Sequence, residues 1–303
     1  MKEEPSYIRR LDTEIGPHHL NDPEGYQNLE KKMKFKYRKA LGELLFCMVT
    51  CRLDISFSVI KLAKFANYPS EIHYQALKNI FRYLRATVNH GLTYWRPTEM
   101  LTHLLPLVEP PKIFHLQHEK MSLLMRILYG FVDADWAQDS ATRKSITGIA
   151  MLLGGALIYY KTKFQPTIAH STTEAEFVAA CDAGKTALYL RSILDEIGLP
   201  QEHATVIYED NTGALLMGNA QQPTRRTRHM DIKNFSLQDW IEEDLLTLHQ
   251  IESTKNLSDA FTKQLGRSLF HKHFDTCMGK THPIYYTGTY ANKQSLVSTN
   301  QDP

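Results

Sequence analysis

Apolar residues recur along this chain at two different spacings, and the change between them divides it. From Tyr37 onward, Leu41, Leu44, Leu45 and Met48 fall at i, i+3, i+4 and i+7, which places them on one face of a helix. Ile55, Val59, Ile60 and Leu62 to Phe65 predict a second helix, with Asp54 placed to cap it. Leu77, Ile80, Phe81 and Leu84 predict a third, ending before Gly91. These make a helical segment over 37–95. Residues 1–36 hold Pro17, His18, His19, Asp22, Pro23 and Gly25 without an apolar period and read as an N-terminal arm. Residues 96–126 carry four prolines and no sustained period, and read as a linker or insertion.

Beyond the linker the pattern becomes mixed. Ile127 to Ala134 and Ile146 to Leu153 read as strands, and the Gly154-Gly155 pair signals a hairpin turn into a returning strand, Ala156 to Lys161. A long helix is predicted from Thr173 to Ile197, its face given by Leu190, Ile193, Leu194 and Ile197 and its stop by Gly198-Leu199-Pro200. A short strand over Ala204 to Glu209 leads into a helix from Asn211 to Met217. Then come a helix over 232–241, a strand over 245–251 and a short helix over 257–265. This order predicts a mixed α/β domain over 127–265. Residues 266–303 read as a C-terminal tail, polar and unpatterned beyond 281, where no structure is expected.

Composition narrows the classes only a little. With 43% hydrophobic and 22% charged residues in 303, a sizeable core is within reach. A net charge of +2 excludes a strongly basic coat but leaves room for a local basic face. The four cysteines form no CxxC pair; Cys47 and Cys51 lie one helical turn apart, and reduced, buried thiols are expected. The longest apolar run is broken by Gly154 and Gly155 and falls short of a membrane span, and the first residues lack the apolar core of a signal peptide. The expectation is a soluble protein of the cytoplasm or nucleus with no membrane partner.

The candidate chemistry lies in carboxylates at element ends. In "FVDADW", Asp133 ends the first strand, with Asp135 on the same strand face; in "VIYEDN", Asp210 ends the fourth strand. Glu176 lies in the first turn of the long helix, in "STTEAEFVAA", and Asp259 opens the last, in "NLSDAFTK". Strand ends can converge at one sheet edge, and four converging acids form a negative cage that hard divalent cations such as Mg²⁺ fill. Each acid also has an ordinary role. Asp210 can cap a helix, Glu176 can close a capping box with Thr173 and Glu174 one with Ser171, and Asp259 can be a solvated helix acid. Periodicity alone does not bring the four together.

A resemblance adds to this. The stretches "FVDADWAQDSATRKSITG", "LLGGALIYYKTKFQPTIAHSTTEAEFVAA", "VIYEDNTGAL", "TRRTRHMDIK" and "STKNLSDAFTKQL" together resemble the ribonuclease H domain of copia-type retrotransposon polyproteins. The helical stretch from Tyr37 to about Tyr94 resembles the segment joining a reverse-transcriptase palm to that domain. The resemblance implies a ribonuclease H-like α/β fold, with a mixed sheet, flanking helices and a four-carboxylate site for two Mg²⁺ ions, Mn²⁺ being a possible substitute. Carried over by motif, the catalytic and metal-binding acids are Asp133, Glu176, Asp210 and Asp259, Glu174 being left as the capping acid. The implied reaction is hydrolysis of the RNA strand of an RNA–DNA hybrid. Arg143, Lys144, Lys161, Lys163, Arg225, Arg226 and Arg228 are the basic residues available to hold its phosphates, with a solvated basic loop as the alternative for the 225–228 cluster. Asn211, Ser171 and Thr172 lie near enough in sequence to the acids to sense a 2′-hydroxyl, and caps and turns are their alternative roles.

Two features pull the other way. The family pattern after "HMDIK" continues with an aromatic residue and a histidine, whereas Asn234, Phe235 and Ser236 stand here, and His229 keeps its position without a derivable role. No two aspartates are adjacent anywhere in the chain, so the aspartate pair of a polymerase palm is absent. The expectation is a piece of a longer polyprotein whose polymerase domain is its missing partner, with a catalytically inactive remnant as the alternative to an active nuclease.

Overall fold

The computed structural model describes residues 11–94, 126–139, 141–220 and 236–280. Its first half is helical: α1 (Pro23–Met33) precedes the three helices that the spacing predicts, α2 (Tyr37–Thr50), α3 (Ser56–Ala63) and α4 (Glu71–Ala86). Reading 1–36 as an arm fails for α1. Asp22 caps it by accepting from the Gly25 N–H at 3.0 Å, Pro23 opens it, and Tyr26 and Met33 are buried. The Asp22-Pro23-Glu24-Gly25 stretch, taken into the arm, is a helix start. Asp54 is no cap either. It is buried, takes two hydrogen bonds from the Arg52 guanidinium at 3.0 and 2.7 Å, and accepts from the Tyr83 hydroxyl at 2.6 Å. Cys181 and Cys277 are buried free thiols, but Cys47 is only half-buried and Cys51 is exposed, because α2 turns that edge to solvent.

The second half builds one sheet. β1 (Tyr129–Asp135), β2 (Ile146–Leu153) and β3 (Ala156–Phe164) form an antiparallel meander, its tight turn made by Gly154 and Gly155 at φ 63 and 79. The left-handed turn that glycine tolerates matches the twist of the strands. α5 (Thr172–Glu196) crosses over to β4 (Thr205–Glu209), which pairs parallel with β1. α6 (Thr212–Gly218), α7 (Ser236–Glu242) and β5 (Leu246–Gln250), the last parallel to β4, complete the order β3-β2-β1-β4-β5. α8 (Asp259–Thr262) and α9 (Arg267–Cys277) follow. This is the ribonuclease H-like mixed sheet with flanking helices. The tail reading fails over α9: Phe274, Cys277 and Met278 are buried against the sheet.

Strand alternation sorts the two faces. Val132, Ala134, Ile149 and Met151 join α5, α6 and α7 in one core, around Phe177, Leu190 and Leu215. Tyr129, Phe131, Ala150 and Leu152 point the other way, to Phe261, Phe274 and Met278. Leu53 from the helical half is buried in that second core, and the Tyr160 hydroxyl of β3 donates to the Met48 carbonyl at 2.5 Å. The helical segment is thus packed onto the sheet. Among the described residues, no helix is long and apolar enough to cross a membrane.

Candidate metal centre

Parallel pairing of β1 with β4 brings two acids to the same end of the sheet. The pairing runs to Phe131 opposite Tyr208, so Asp133 and Asp210 lie two residues further along these neighbouring segments. Asp133 is 1% exposed and shares the parity of Phe131, which turns it toward α8. Across β2 its partner is Gly148. A methyl group on Gly148 would stand 2.6 Å from Thr262 Cγ2 and 2.8 Å from the Ser258 carbonyl oxygen, so α8 lies directly on the strand there. That close approach lets the Thr262 hydroxyl donate to Asp133 Oδ2. It also sets the Lys263 ammonium 3.4 Å from Asp133 Oδ1 and 2.9 Å from Asp259 Oδ1.

Glu176 arrives from the opposite layer. Ser171 caps α5 by accepting from the Glu174 N–H at 3.1 Å, and Glu174 Oε2 accepts from the His170 N–H at 2.9 Å. Glu174 therefore serves the helix start, while Glu176 is buried against the sheet end. One carboxylate oxygen each from Asp133, Glu176 and Asp210 lies within 4.8 Å of the others. Asp259, the fourth acid, is not part of that trio. It sits beside Asp133, joined to it through Lys263.

Crowding of buried acids controls the electrostatics. Burial, then Glu209, Asp133 and Asp210, push the Glu176 carboxyl up to about 11, opposed by a hydrogen bond from the Ala134 backbone. Burial also holds Asp133 above the usual carboxylate range, against the pull of Lys263 and Thr262. Asp259 is raised to about 7 by burial and then by Asp133, and Asp135 to about 6 by the same two causes. Burial lowers the Lys263 ammonium, but Asp133 and Asp259 outweigh it and raise it. Glu209, absent from the sequence expectations, is fully buried and also pushed well up, first by burial. One of its oxygens accepts from the Asn211 N–H at 2.9 Å; the other, like Glu176 Oε2, has no hydrogen-bond partner. Such orphaned buried oxygens are expensive to leave unmatched. Three hard oxygen donors gathered with orphaned atoms beside them suit a divalent cation of the Mg²⁺ type.

The trio opens into a cavity of about 520 Å³, also lined by Asp135, Trp136, Thr172, Asn211, Ser253 and Lys263. Thr172 and Asn211, two of the three candidates for sensing the substrate, thus reach it; Asn211 also caps α6 by accepting from the Ala214 N–H at 3.0 Å, whereas Ser171 is used as a cap. The candidate phosphate ligands divide. Arg143 is exposed in the β1–β2 loop, Lys144 beside it is half-buried, and Lys163 is exposed on β3. Lys161 is committed to Asp182 of α5, with contacts of 2.8 and 2.7 Å. Arg225, Arg226, Arg228 and His229 lie outside the described residues, as do Asn234 and Phe235. The residues that sequence reasoning missed, Glu209 and Lys263, each carried a weak signal. Glu209 adjoins Asp210, and Lys263 lies four positions after Asp259, one helical turn away.

The chain matches no protein-family model. It is 31% identical over 258 residues to the retrovirus-related Pol polyprotein from transposon TNT 1-94 of Nicotiana tabacum, covering 81% of this chain and 17% of that protein. It is 30% identical over 246 residues to the corresponding polyprotein from transposon RE1 of Arabidopsis thaliana, covering 81% and 15%. A shorter stretch of 154 residues is 32% identical to secreted RxLR effector protein 161 of Plasmopara viticola, covering 51% of this chain and 90% of that protein. Among solved structures, LC11-RNase H1 isolated from compost aligns over 49% of this chain and 99% of its own, with a TM-score of 0.36 and 11% identity. The chain spans less than a fifth of the transposon polyproteins it matches. With the motif order and the mixed sheet, this similarity makes the chain a homologue of one part of the retrovirus-related Pol polyproteins from transposons, with a ribonuclease H-like fold.

Proposed function

We propose that this chain is a metal-dependent endoribonuclease of a copia-type retrotransposon, hydrolysing the RNA strand of an RNA–DNA hybrid. The observation that carries the reading is the convergence of Asp133, Glu176 and Asp210, three acids from separate elements, with ligand oxygens within 4.8 Å. These three would hold the metal, and Asp259 would complete the acidic shell behind Asp133. Two Mg²⁺ ions, or Mn²⁺ in their place, would supply Lewis acidity to the scissile phosphate and ease deprotonation of the attacking water. The chain's own groups would do the rest. Lys263 neutralises Asp133 and Asp259, Asn211 and Thr172 line the cavity where a sugar hydroxyl would sit, and Arg143, Lys144 and Lys163 offer positive charge to the backbone. The 225–228 cluster would add to that charge, and the polymerase portion of the polyprotein would be the natural partner.

The test is cleavage of a labelled hybrid with Mg²⁺ by the full chain, lost on Asp210→Asn; a variant that still cleaves rejects the assignment. A second reading, an inactive remnant, is favoured by the ammonium of Lys263 held between Asp133 and Asp259 and by the Asn234-Phe235-Ser236 departure. Calorimetric titration with Mg²⁺ and Mn²⁺ separates the two, since a remnant shows no two-ion isotherm.

A further inference from the structure

The β1–β2 loop contains a feature that the acid site does not use. Trp136 follows Asp135 directly, is 41% exposed and lines the same cavity as Asp133, Glu176 and Asp210. A tryptophan is the largest apolar side chain available, and leaving so much of it in water beside a polar cavity forgoes stabilisation that burial would give. The ring is nevertheless held in place. Its indole N–H donates to the Ala169 carbonyl at 3.0 Å, just before α5 begins. The next residue, Ala137, takes the left-handed conformation at φ 52, which costs an alanine energy and is held by its N–H donating to Ser145 Oγ at 3.2 Å.

The rest of the loop is braced from two sides. Asp139 accepts from the Ala141 N–H at 3.1 Å and from the Thr142 hydroxyl at 2.5 Å, and its backbone pairs with Arg143 and Lys144 at 2.7 and 3.1 Å. From the C-terminal end of α3, Lys64 pairs with the Asp139 carboxylate 75 residues on, and the buried Lys61 donates to Gln138 Oε1 at 2.9 Å. An exposed ring on a loop this tightly fixed loses little conformational freedom when a ligand covers it.

We propose that Trp136 is a substrate contact of this site, its exposed indole face packing against a sugar of the hybrid beside the phosphate that the acids engage. This rests on the nuclease reading. A duplex keeps its bases stacked, so what it offers in a wide, shallow minor groove is sugars, whose faces are apolar and whose edges carry hydroxyls. An indole beside Thr172 and Asn211 meets both requirements.

Two variants separate the ring face from its anchor. Trp136→Phe keeps an apolar face and loses the N–H; Trp136→Gln keeps an amide donor able to reach Ala169 and loses the face. Steady-state cleavage of a hybrid by the full chain should give a KM raised about tenfold or more for Trp136→Gln, up to the roughly thirtyfold of an interface hot spot, with kcat nearly unchanged. Trp136→Phe should stay close to the parent, and all three proteins should give the same Mg²⁺ isotherm. A Trp136→Gln variant with the parent's KM, or a Trp136→Phe variant as impaired as Trp136→Gln, overturns the contact and leaves the nuclease reading standing. A parent that binds Mg²⁺ but neither binds nor cleaves hybrid overturns both.

Discussion

Gly148→Ala tests whether close approach of α8 to β2 is what assembles the Asp133 side of the site. An added methyl group would stand 2.6 Å from Thr262 Cγ2, 2.8 Å from the Ser258 carbonyl oxygen and 3.2 Å from Phe261 Cβ. The shortest clash cannot be relieved by turning Thr262, because its hydroxyl is held by Asp133 Oδ2 and the Asp259 carbonyl. The Ser258 contact involves backbone. α8 as a whole must therefore move outward by roughly half an ångström or more, loosening the packing of Phe261. Overpacking of this kind costs about 1–3 kcal/mol. For a domain of this size each kcal/mol lowers the melting temperature by about 2–4 °C, so a fall of roughly 2–12 °C is expected. Thermal unfolding followed by circular dichroism, with and without Mg²⁺, measures it. Because α8 also carries Asp259 and leads into Lys263, the upward shift of melting temperature on adding Mg²⁺ should shrink as well. A variant that melts within about 1 °C of the parent, with an unchanged Mg²⁺ shift, would refute the claim that glycine is required for the approach.

Glu176→Gln should stabilise the metal-free protein above neutral pH. The folded pKa of Glu176 is raised to about 11, so its favourable neutral state is fully present below the unfolded value near 4.5 and is lost as pH rises toward 11. The parent's melting temperature should therefore decline across pH 6–9 without metal, at up to about 1.4 kcal/mol per pH unit for this one proton, and the glutamine variant should decline less; parallel curves would refute it. Lys61→Met leaves Asp12 without its 2.9 Å partner and Gln138 without its donor. Asp12 keeps Lys64 at 3.5 Å, so the cost is that of the lost hydrogen bonds, about 1–3 kcal/mol, and hydrogen exchange across 136–139 should quicken; protection as slow as in the parent would show that Lys61 does not brace the loop.

Local signals gave the elements whose boundaries are chemical. The Gly154-Gly155 turn and the Ser171 cap of α5 need only neighbours in sequence, and their places agree with the spacing within a residue or two. The two helices missed as arm and tail fail for a common reason. α9 buries His273 and Thr276 alongside Phe274 and Cys277, so its inward face is half polar and only Phe270, Phe274 and Cys277 mark it as apolar. α1 presents only Tyr26, Leu29 and Met33 among charged residues. The convergence of Asp133 with Asp210 depends on parallel pairing of β1 and β4, a long-range choice that no window of sequence contains. The resemblance, not the periodicity, anticipated it. The same resemblance set Asp259 among the metal-binding acids; its carboxylate instead pairs with Lys263 outside the trio, a matter of the side-chain register of α8.

The distribution of charge around the site separates what stabilises this fold from what burdens it. Stability comes from the two apolar layers, built around Phe177 on one face of the sheet and Phe261 and Phe274 on the other. At the sheet end between them, Asp133, Glu176, Glu209 and Asp259 are all buried, with Asp135 and Asp210 half-buried beside them, and Lys263 contacts only two of the set. Neutral hydrogen-bonding residues could have closed the same sheet end without like-charge repulsion or the orphaned oxygens of Glu176 and Glu209. A fold that keeps this many acids where one ammonium cannot balance them is destabilised locally. That combination has a physical rationale when the missing positive charge is supplied by bound cations, because the repulsion that weakens the empty arrangement becomes the affinity that fills it.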